Sequence, residues 1–144
     1  MTVTGGCRCG ACRYELPGDT LPPVYCCHCR DCQTWSGSSF TLQALVREGA
    51  IAATGSIVEY GRPNSLGGKT TQSLCGVCHT RLWNVNDKRP GLLVIRAGTL
   101  DRSDELNPRV HIWTKRKQAW IGTGDVPTFP ENAPAAEFIA IMMR

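Results

Sequence analysis

Two short cysteine runs decide how this chain folds: Gly5-Gly6-Cys7-Arg8-Cys9-Gly10 near the start, and Cys75-Gly76-Val77-Cys78 past the middle. Two thiolates one to four residues apart can bind one metal ion at about 2.3 Å, and a second such pair completes the tetrahedral set that zinc takes in structural sites. The glycines permit the tight backbone of such a knuckle. The alternative is that these are buried free cysteines, but isolated core cysteines have no reason to recur at chelating spacings. The spacing therefore predicts a zinc site formed by Cys7, Cys9, Cys75 and Cys78.

A further cluster lies between these runs, and it contains Cys27, Cys29 and Cys32. These residues offer three thiolates from one loop, and no second cysteine pair remains to complete a set of four. Three protein ligands with an open fourth position are typical of catalytic zinc, where water, a thiol or a carbonyl oxygen can bind. The cluster therefore predicts a second zinc site with an open position.

Two alternatives to the open site remain at this stage. One is a fourth ligand from elsewhere in the chain, for which the candidates are His28, Cys26, Cys12 and His79. The other is a redox pair of the C-x-x-C kind formed by Cys29 and Cys32. Because Cys26 is adjacent to Cys27 in a strand-like segment, we expect it to point to the opposite face and to lie in the core.

The rest of the sequence predicts a mostly β protein. Glycine and proline interrupt the chain regularly, and short segments rich in β-branched and aromatic residues lie between them. These segments are residues 11–16, 24–27, 40–46, 56–60, 69–74, 81–85, 92–97 and 109–114. The only helical candidates are a short stretch after Cys29 and a turn at residues 104–106. Residues 126–136 are rich in proline and are expected to lie extended on the surface.

Two of these segments carry a pattern that predicts which faces are buried. In residues 40–46, Phe40, Leu42, Ala44 and Val46 alternate with Thr41, Gln43 and Leu45, which predicts a strand whose apolar set faces the core. Residues 92–95 are continuously apolar, which predicts a strand buried on both faces.

Length and composition predict a single domain over residues 1–144, with 42% hydrophobic and 19% charged residues. The longest apolar runs, residues 92–95 and 138–143, are too short to cross a bilayer, so no membrane association is expected. The start of the chain lacks the basic and apolar regions of an export signal. Nine cysteines in a reducing compartment are expected to be ligands or reactive thiols, and we expect a cytoplasmic protein.

Net charge argues against nucleic acid as a partner. The chain carries a formal charge of +4. Ligand cysteines bind zinc as thiolates, so seven of them with two zinc ions would leave a net charge of about +1. The run Lys115-Arg116-Lys117 has neutral neighbours and is typical of a solvated turn. No specific nucleic-acid binding is therefore expected.

Several motifs together resemble those of the glutathione-dependent formaldehyde-activating enzyme (Gfa) family, whose domain also occurs in centromere protein V. They are Gly5-Gly6-Cys7-Arg8-Cys9-Gly10 with Arg13-Tyr14, Cys27-His28-Cys29-Arg30-Asp31-Cys32 with Ser36-Gly37-Ser38, Cys75-Gly76-Val77-Cys78 with Thr80 and Leu82, and the later His111-Ile112-Trp113, Trp120, Pro127 and Phe129. The resemblance covers most of the chain.

This resemblance implies several small coiled antiparallel β-sheets stapled by zinc, with only short helical turns. It implies one structural zinc, whose ligands map to Cys7, Cys9, Cys75 and Cys78. It also implies a second, more weakly held zinc, which is catalytic or exchangeable and whose ligands map to Cys27, Cys29 and Cys32. The chain departs from the family pattern at two positions. Gln33 stands where the family often has arginine, and His79 stands where it often has glycine. Histidine tolerates positive φ better than most residues, so His79 leaves the structural site intact.

The expected activity is that of a zinc-dependent carbon–sulfur lyase, with Cys27, Cys29 and Cys32 as the catalytic metal ligands. Its substrates would be a small thiol such as glutathione and formaldehyde or a related aldehyde. Trp35, Ser36, Gly37 and Ser38 follow the open-site cysteines and could bind a substrate carboxylate as an anion-binding nest, or form a plain turn. His111 is more often structural than functional in such a segment. The alternative functions are a non-catalytic zinc-stabilised binding module and a redox-responsive zinc protein. Oligomeric state does not follow from the sequence.

Overall fold

The computed structural model describes residues 2–144, which form two compact units. The first unit contains the chain up to Pro22 together with Leu45–Glu105, and the second contains Pro23–Ala44 together with Leu106–Arg144. None of the helices in residues 2–144 has the length and apolar character that a bilayer-spanning segment needs. A single domain over residues 1–144 stays a prediction.

Strands account for most of the regular structure, as the sequence predicts. In the described residues they are β1 (Thr2–Gly6), β2 (Arg13–Pro17), β3 (Val24–Cys27), β4 (Thr41–Arg47), β5 (Ala52–Thr54), β6 (Ile57–Pro63), β7 (Lys69–Cys75), β8 (Arg81–Asn86), β9 (Leu92–Arg96) and β10 (Pro108–Ile112). The helices are α1 (Arg30–Ser36) and α2 (Ala135–Met142), with single 3-10 turns at Glu48–Ala50, Ala97–Thr99, Ser103–Glu105 and Thr114–Arg116. The expectation of a mostly β fold with short helices is confirmed.

The first unit contains two antiparallel sets of strands. One is a three-stranded sheet in the order β1-β2-β5, and in the other β6, β7, β8 and β9 pair in succession. Alternate residues of β1 and β2 are buried, because successive side chains of a strand point to opposite faces. The ring of Tyr14 meets Trp83 edge-on, with ring centroids 6.0 Å apart. Tyr14 belongs to the buried core of this unit, and Trp83 is half-buried beside it.

The second unit is built around β3, whose four residues are all buried. β3 pairs with β4 in antiparallel fashion and with β10 in parallel. The parallel pair departs from the expected antiparallel sheets, and the long connection between β3 and β10 makes it possible. The ring of Tyr25 packs edge-on against Phe138 of α2, with centroids 5.0 Å apart. Helix α2 therefore covers part of the apolar surface of β3.

The prediction for the buried face of residues 40–46 is wrong except at Ala44, which is buried. Thr41 and Gln43 are buried, whereas Phe40, Leu42 and Val46 are only half-buried. Polar residues can occupy the buried face because their hydrogen bonds are satisfied there. The prediction that residues 92–95 are buried on both faces is also wrong, because Leu93 and Ile95 are buried while Leu92 and Val94 stay half-buried.

The helical predictions are confirmed in part. The stretch after Cys29 is α1, and the turn predicted at residues 104–106 corresponds to the 3-10 turn Ser103–Glu105. Helix α2 was not expected, and its first residue, Ala135, falls within the segment predicted to be extended over residues 126–136. Pro134 precedes the first turn, where a proline does not disrupt the backbone bonds of the helix. Eight residues make a marginal helix in isolation, so packing of Phe138 is what stabilises α2.

Candidate metal centres

The first candidate centre lies in the first unit and contains four cysteines. Cys7 and Cys9 follow β1, Cys75 is the last residue of β7, and Cys78 lies in the turn after it. The four Sγ atoms lie within 4.8 Å of one another. The Sγ atom of Cys9 is 3.6 Å from that of Cys7 and 3.9 Å from that of Cys75. The structure therefore brings together the four cysteines that the spacing predicts, and this set fits a tetrahedral zinc ion.

Backbone amides surround the sulfur atoms of this centre. The amide of Cys12 donates to Cys7 Sγ at 3.2 Å, and the amides of Val77 and Cys78 donate to Cys75 Sγ at 3.3 and 3.4 Å. Hydrogen bonds to the charged form of an acid favour that form. These amides would therefore stabilise the sulfur ligands of a bound metal ion, because metal-bound sulfur accepts hydrogen bonds.

The turn after Cys75 depends on two backbone features. Gly76 is required because a Cβ there would lie 2.8 Å from Ser56 Oγ, and its amide already donates to the Ser56 carbonyl at 2.7 Å. His79 has φ 61°, and its amide donates to the Cys75 carbonyl at 2.9 Å. The expectation that His79 tolerates this position is confirmed.

The pKa values within this centre separate into two groups. Burial opposes ionisation of Cys7, but the Cys12 amide and the thiols of Cys75 and Cys9 lower its pKa, and hydrogen bonds from the side chain and backbone of Thr80 lower the pKa of Cys78 to about 5. A backbone amide favours the Cys9 thiolate, but burial and the neighbouring thiols outweigh it and raise the pKa of Cys9 to about 11. Burial, together with Cys75, raises the pKa of Cys12 to about 11. Cys12 also donates its S–H to the Ser56 carbonyl at 3.1 Å. The four-cysteine group whose Sγ atoms lie within 4.8 Å of one another does not include Cys12, which is therefore a buried thiol beside the centre.

The second candidate centre lies in the second unit and contains Cys27, Cys29 and Cys32, whose Sγ atoms also lie within 4.8 Å of one another. Cys27 ends β3, Cys29 is the N-cap of α1, and Cys32 lies in the first turn of that helix. The amide of Cys32 donates to Cys29 Sγ at 3.3 Å, which is the usual N-cap bond with sulfur as the acceptor. The end of a strand and the start of a helix thus bring together three residues that are close in sequence.

Crowding of the three thiols affects their ionisation. Hydrogen bonds that the Cys27 thiol donates to Cys29 and Cys32, together with burial, raise the pKa of Cys27 well above its usual range. The hydrogen bond with Cys27 favours the Cys29 thiolate, but Cys32 and burial outweigh it and raise the pKa of Cys29 as well. Three adjacent thiolates repel one another unless a cation neutralises them, and zinc would do so. The donor set therefore fits a zinc ion with three protein ligands.

None of the proposed fourth ligands joins the second centre in the part of the chain that the structure describes. His28 is fully buried, and its Nε2 lies 2.8 Å from His111 Nδ1, with the two rings stacked at 5.1 Å. Burial lowers the pKa of His28 to about 4 and also lowers that of His111, so both rings are neutral at pH 7. Cys26 is buried among apolar groups, which raises its pKa to about 12, and it lies in the core as expected.

The segment Trp35–Ser38 includes the end of α1. Gly37 has φ 65° and forms the left-handed C-cap. The amide of Ser38 donates to the Gln33 carbonyl at 3.2 Å, and Ser36 Oγ also lies within hydrogen-bond distance of that amide. These groups stabilise the helix end, and the substrate role of Trp35, Ser36, Gly37 and Ser38 stays a prediction. The side chain of Gln33 is also hydrogen-bonded within the protein, because its amide donates to the carbonyls of His28 and Arg116 at 2.8 and 2.9 Å.

One neighbour of the second centre was missed by the sequence reasoning. Gln43 Nε2 donates to Cys32 Sγ at 3.4 Å, and Gln43 Oε1 accepts a hydrogen bond from Tyr25. The alternation in residues 40–46 placed Gln43 on the solvent face. Its position two residues from Thr41, in a segment that follows the cysteine cluster, was the only available signal.

The fold and these two centres define a class, that of mostly β proteins with one four-cysteine and one three-cysteine group suited to zinc. The sequence model of the family described as glutathione-dependent formaldehyde-activating enzyme matches residues 2–116. The chain belongs to this family, as the motifs predict. The matched residues include both cysteine groups and do not extend to α2.

One similar protein carries the name of this family, and one solved structure shares the fold. A Halomonas elongata protein, provisionally named a glutathione-dependent formaldehyde-activating enzyme, is 26% identical over 130 residues, which cover 84% of this chain and 80% of that protein. The crystal structure of a Rhodobacter sphaeroides protein superposes with a TM-score of 0.55 at 18% identity and covers 87% of this chain and 98% of that one. At this identity the second similarity concerns the fold alone.

Proposed function

We propose that this chain is a carbon–sulfur lyase of the formaldehyde-activating type. It would join a small thiol such as glutathione to formaldehyde or a related aldehyde, and cleave the S-hydroxymethyl product in the reverse direction. The observation that carries this proposal is the group of three thiols without a fourth His, Cys, Asp or Glu ligand in residues 2–144. An incomplete protein ligand set leaves a position at which a substrate can bind. Membership of the family supports the choice of substrates.

The two cysteine groups would have different roles. Cys7, Cys9, Cys75 and Cys78 would hold a structural zinc, because four thiols complete a tetrahedral set. Cys27, Cys29 and Cys32 would hold a second, catalytic or exchangeable zinc. The protein would therefore contain two zinc ions per chain when both groups are loaded.

Zinc bound at the three-cysteine group would supply a Lewis acid that lowers the pKa of a thiol and polarises a carbonyl oxygen. The chain would hold and orient the reactants around it. The N–H groups of Cys32 and Gln43 would stabilise the ligand sulfurs, and the turn containing Ser36 and Ser38 would orient a substrate carboxylate. The reaction forms one C–S bond between the thiol sulfur and the carbonyl carbon. The thiol proton ends on the new hydroxyl group, so no oxidant or reductant is required.

Turnover with glutathione and formaldehyde tests this proposal. Thiols add to formaldehyde without help, so the rate must be compared with that of the uncatalysed mixture under the same conditions. We expect wild-type protein to exceed this blank and Cys29→Ser to match it, since two thiolates hold the metal poorly. Cys26→Ala is the matched control, because Cys26 is an adjacent buried cysteine outside the ligand group. It should retain the wild-type rate per folded molecule.

The alternative candidate is a zinc-stabilised binding module without turnover. It would be favoured if wild-type protein with two zinc ions per chain matched the blank with several thiols and aldehydes. A redox-responsive zinc protein would instead release metal on oxidation of Cys29 and Cys32. We propose a small thiol as the partner, with no nucleic acid and no membrane. We also propose the cytoplasm as the location, because a reducing compartment keeps ligand thiols available.

A further inference from the structure

Two buried polar residues of β4 face the second candidate centre. Gln43 is only 8% exposed, and Thr41 is buried as well. The register of the β3–β4 pair places Gln43 opposite Tyr25 and Thr41 opposite Cys27, so these four residues share one face of the pair. Burial of a side-chain amide is unfavourable unless its hydrogen bonds are made. The buried side chain of Gln43 therefore needs hydrogen-bond partners within the protein.

Each polar atom of the Gln43 side chain has a partner. Tyr25 donates its hydroxyl to Gln43 Oε1 at 2.8 Å. Gln43 Nε2 donates to Thr41 Oγ1 at 2.6 Å and to Cys32 Sγ at 3.4 Å. Because the Tyr25 hydroxyl satisfies the amide oxygen, the amide nitrogen is the atom that faces the sulfur. The arrangement is directional, since a reversed amide would turn an acceptor toward Thr41 and Cys32.

The chemical consequence concerns the sulfur of Cys32. A metal-bound thiolate is still a hydrogen-bond acceptor, and an N–H donor aimed at it complements its negative charge. Partners that hydrogen-bond to metal ligands also fix their orientation, and their loss typically costs about 10- to 100-fold in metal affinity or activity. The interaction is stronger away from water, and Gln43 is almost entirely buried.

We propose that Gln43, held by the hydroxyl of Tyr25, is a positioning residue that presents an N–H donor to Cys32 and thereby sets the metal affinity of the three-cysteine group. This inference rests on the proposed function only in taking that group as a metal site. It assigns a role to two residues outside the ligand set, Tyr25 and Gln43. The four-cysteine group has no part in it.

Cobalt titration of Gln43→Leu tests this role. Protein that retains one zinc after mild chelation is titrated with Co²⁺, and the thiolate-to-cobalt charge-transfer absorption reports binding at the second site. We expect Co²⁺ affinity to fall about 10- to 100-fold. The charge-transfer band should also move to lower energy, because a sulfur that has lost a hydrogen-bond donor is easier to oxidise. A purely structural role would not change the band energy of the sites that still bind metal.

Two further variants make the result decisive. Tyr25→Phe removes only the hydroxyl and keeps the ring that packs on Phe138, so we expect the same shifts to a smaller extent, about a few-fold in affinity. Tyr25→Phe also tests the proposal by itself if Gln43→Leu does not fold. Gln72→Leu is the matched control, because Gln72 is likewise buried on a strand, at 3% exposed, but belongs to the first unit and makes no bond to Cys27, Cys29 or Cys32. It should leave Co²⁺ affinity and the band unchanged.

The outcomes separate this inference from the proposed function. Wild-type affinity and band energy in folded Gln43→Leu and Tyr25→Phe would overturn the inference, as would equal losses in Gln72→Leu. Lower Co²⁺ affinity and a shifted band in both test variants would support the role of Gln43. If wild-type protein also binds the second metal but shows no turnover, the lyase proposal is contradicted while the role of Gln43 stands.

Discussion

The two cysteine groups differ in how the chain brings them together. The four-cysteine group joins Cys7 and Cys9 to Cys75 and Cys78, which lie far apart in sequence, whereas the three-cysteine group lies within Cys27–Cys32. Closing a long loop costs conformational entropy, and a metal that bridges its ends offsets this cost. A metal held by neighbouring residues closes no such loop. From this difference we expect a metal at the four-cysteine group to stabilise the fold and a metal at the three-cysteine group to stay exchangeable.

The largest expected effect is loss of the four-cysteine group. Cys75→Ser, or Cys7→Ser, should leave the protein unfolded or insoluble, because a structural zinc site contributes about 10 kcal/mol or more, which is comparable to the whole stability of a domain. Circular dichroism and solubility measure this outcome. A variant with wild-type thermal stability and full zinc content would show that this group is not structural.

Loss of the three-cysteine group should have a smaller effect on folding. Cys29→Ser should retain the circular dichroism spectrum of the wild type and contain about one zinc per chain in place of two, because two remaining thiolates hold metal poorly. Metal analysis by mass spectrometry and thermal unfolding together test this. If the variant loses both zinc ions and unfolds, the two groups do not differ in the way that their sequence separation implies.

The two groups should also respond differently to pH. The pKa values of Cys27 and Cys29 are both raised, so zinc must displace protons from them. In the four-cysteine group the pKa of Cys9 is raised to about 11, but that of Cys7 is lowered and that of Cys78 is lowered to about 5, so fewer protons have to be displaced there. As pH falls from about 8 to about 6, protons compete more strongly for the raised thiols, and the three-cysteine group should release its metal first. Zinc release to a chromogenic chelator at each pH measures this. Simultaneous release from both groups would contradict the expectation.

The smallest expected effect is that of Cys12→Ala, which removes the thiol next to the four-cysteine group. We expect full zinc content and a loss of about 1–2 kcal/mol in unfolding free energy, because a buried thiol and its bond to the Ser56 carbonyl are lost while every ligand remains. Thermal unfolding of Cys12→Ala and of Cys7→Ser, measured side by side, compares the loss of this thiol with the loss of a group member. Loss of zinc from Cys12→Ala would make Cys12 a ligand and revise the composition of the centre.

Pattern reasoning identified both cysteine groups and missed their surroundings. The spacing of Cys7, Cys9, Cys75 and Cys78 marks a chelating set by itself, since few other arrangements explain two such pairs. The burial of Gln43 was predicted wrongly, because alternation assigns the apolar set to the core and takes no account of a polar partner such as Tyr25. The face of β4 that carries Thr41 and Gln43 is buried because the side chain of Gln43 hydrogen-bonds there with Tyr25, Thr41 and Cys32.

The sequence by itself determined the two cysteine groups, the mostly β character and the family. These properties depend on local spacing, residue type and short-range periodicity, all of which are present in the chain before it folds. Only the tertiary structure decided that His28 bonds to His111 and stays out of the second centre, that residues 135–142 form a helix against β3, and that Gln43 faces Cys32. Each of these depends on contacts between residues distant in sequence, which override local preference when they bury apolar surface and satisfy buried polar groups.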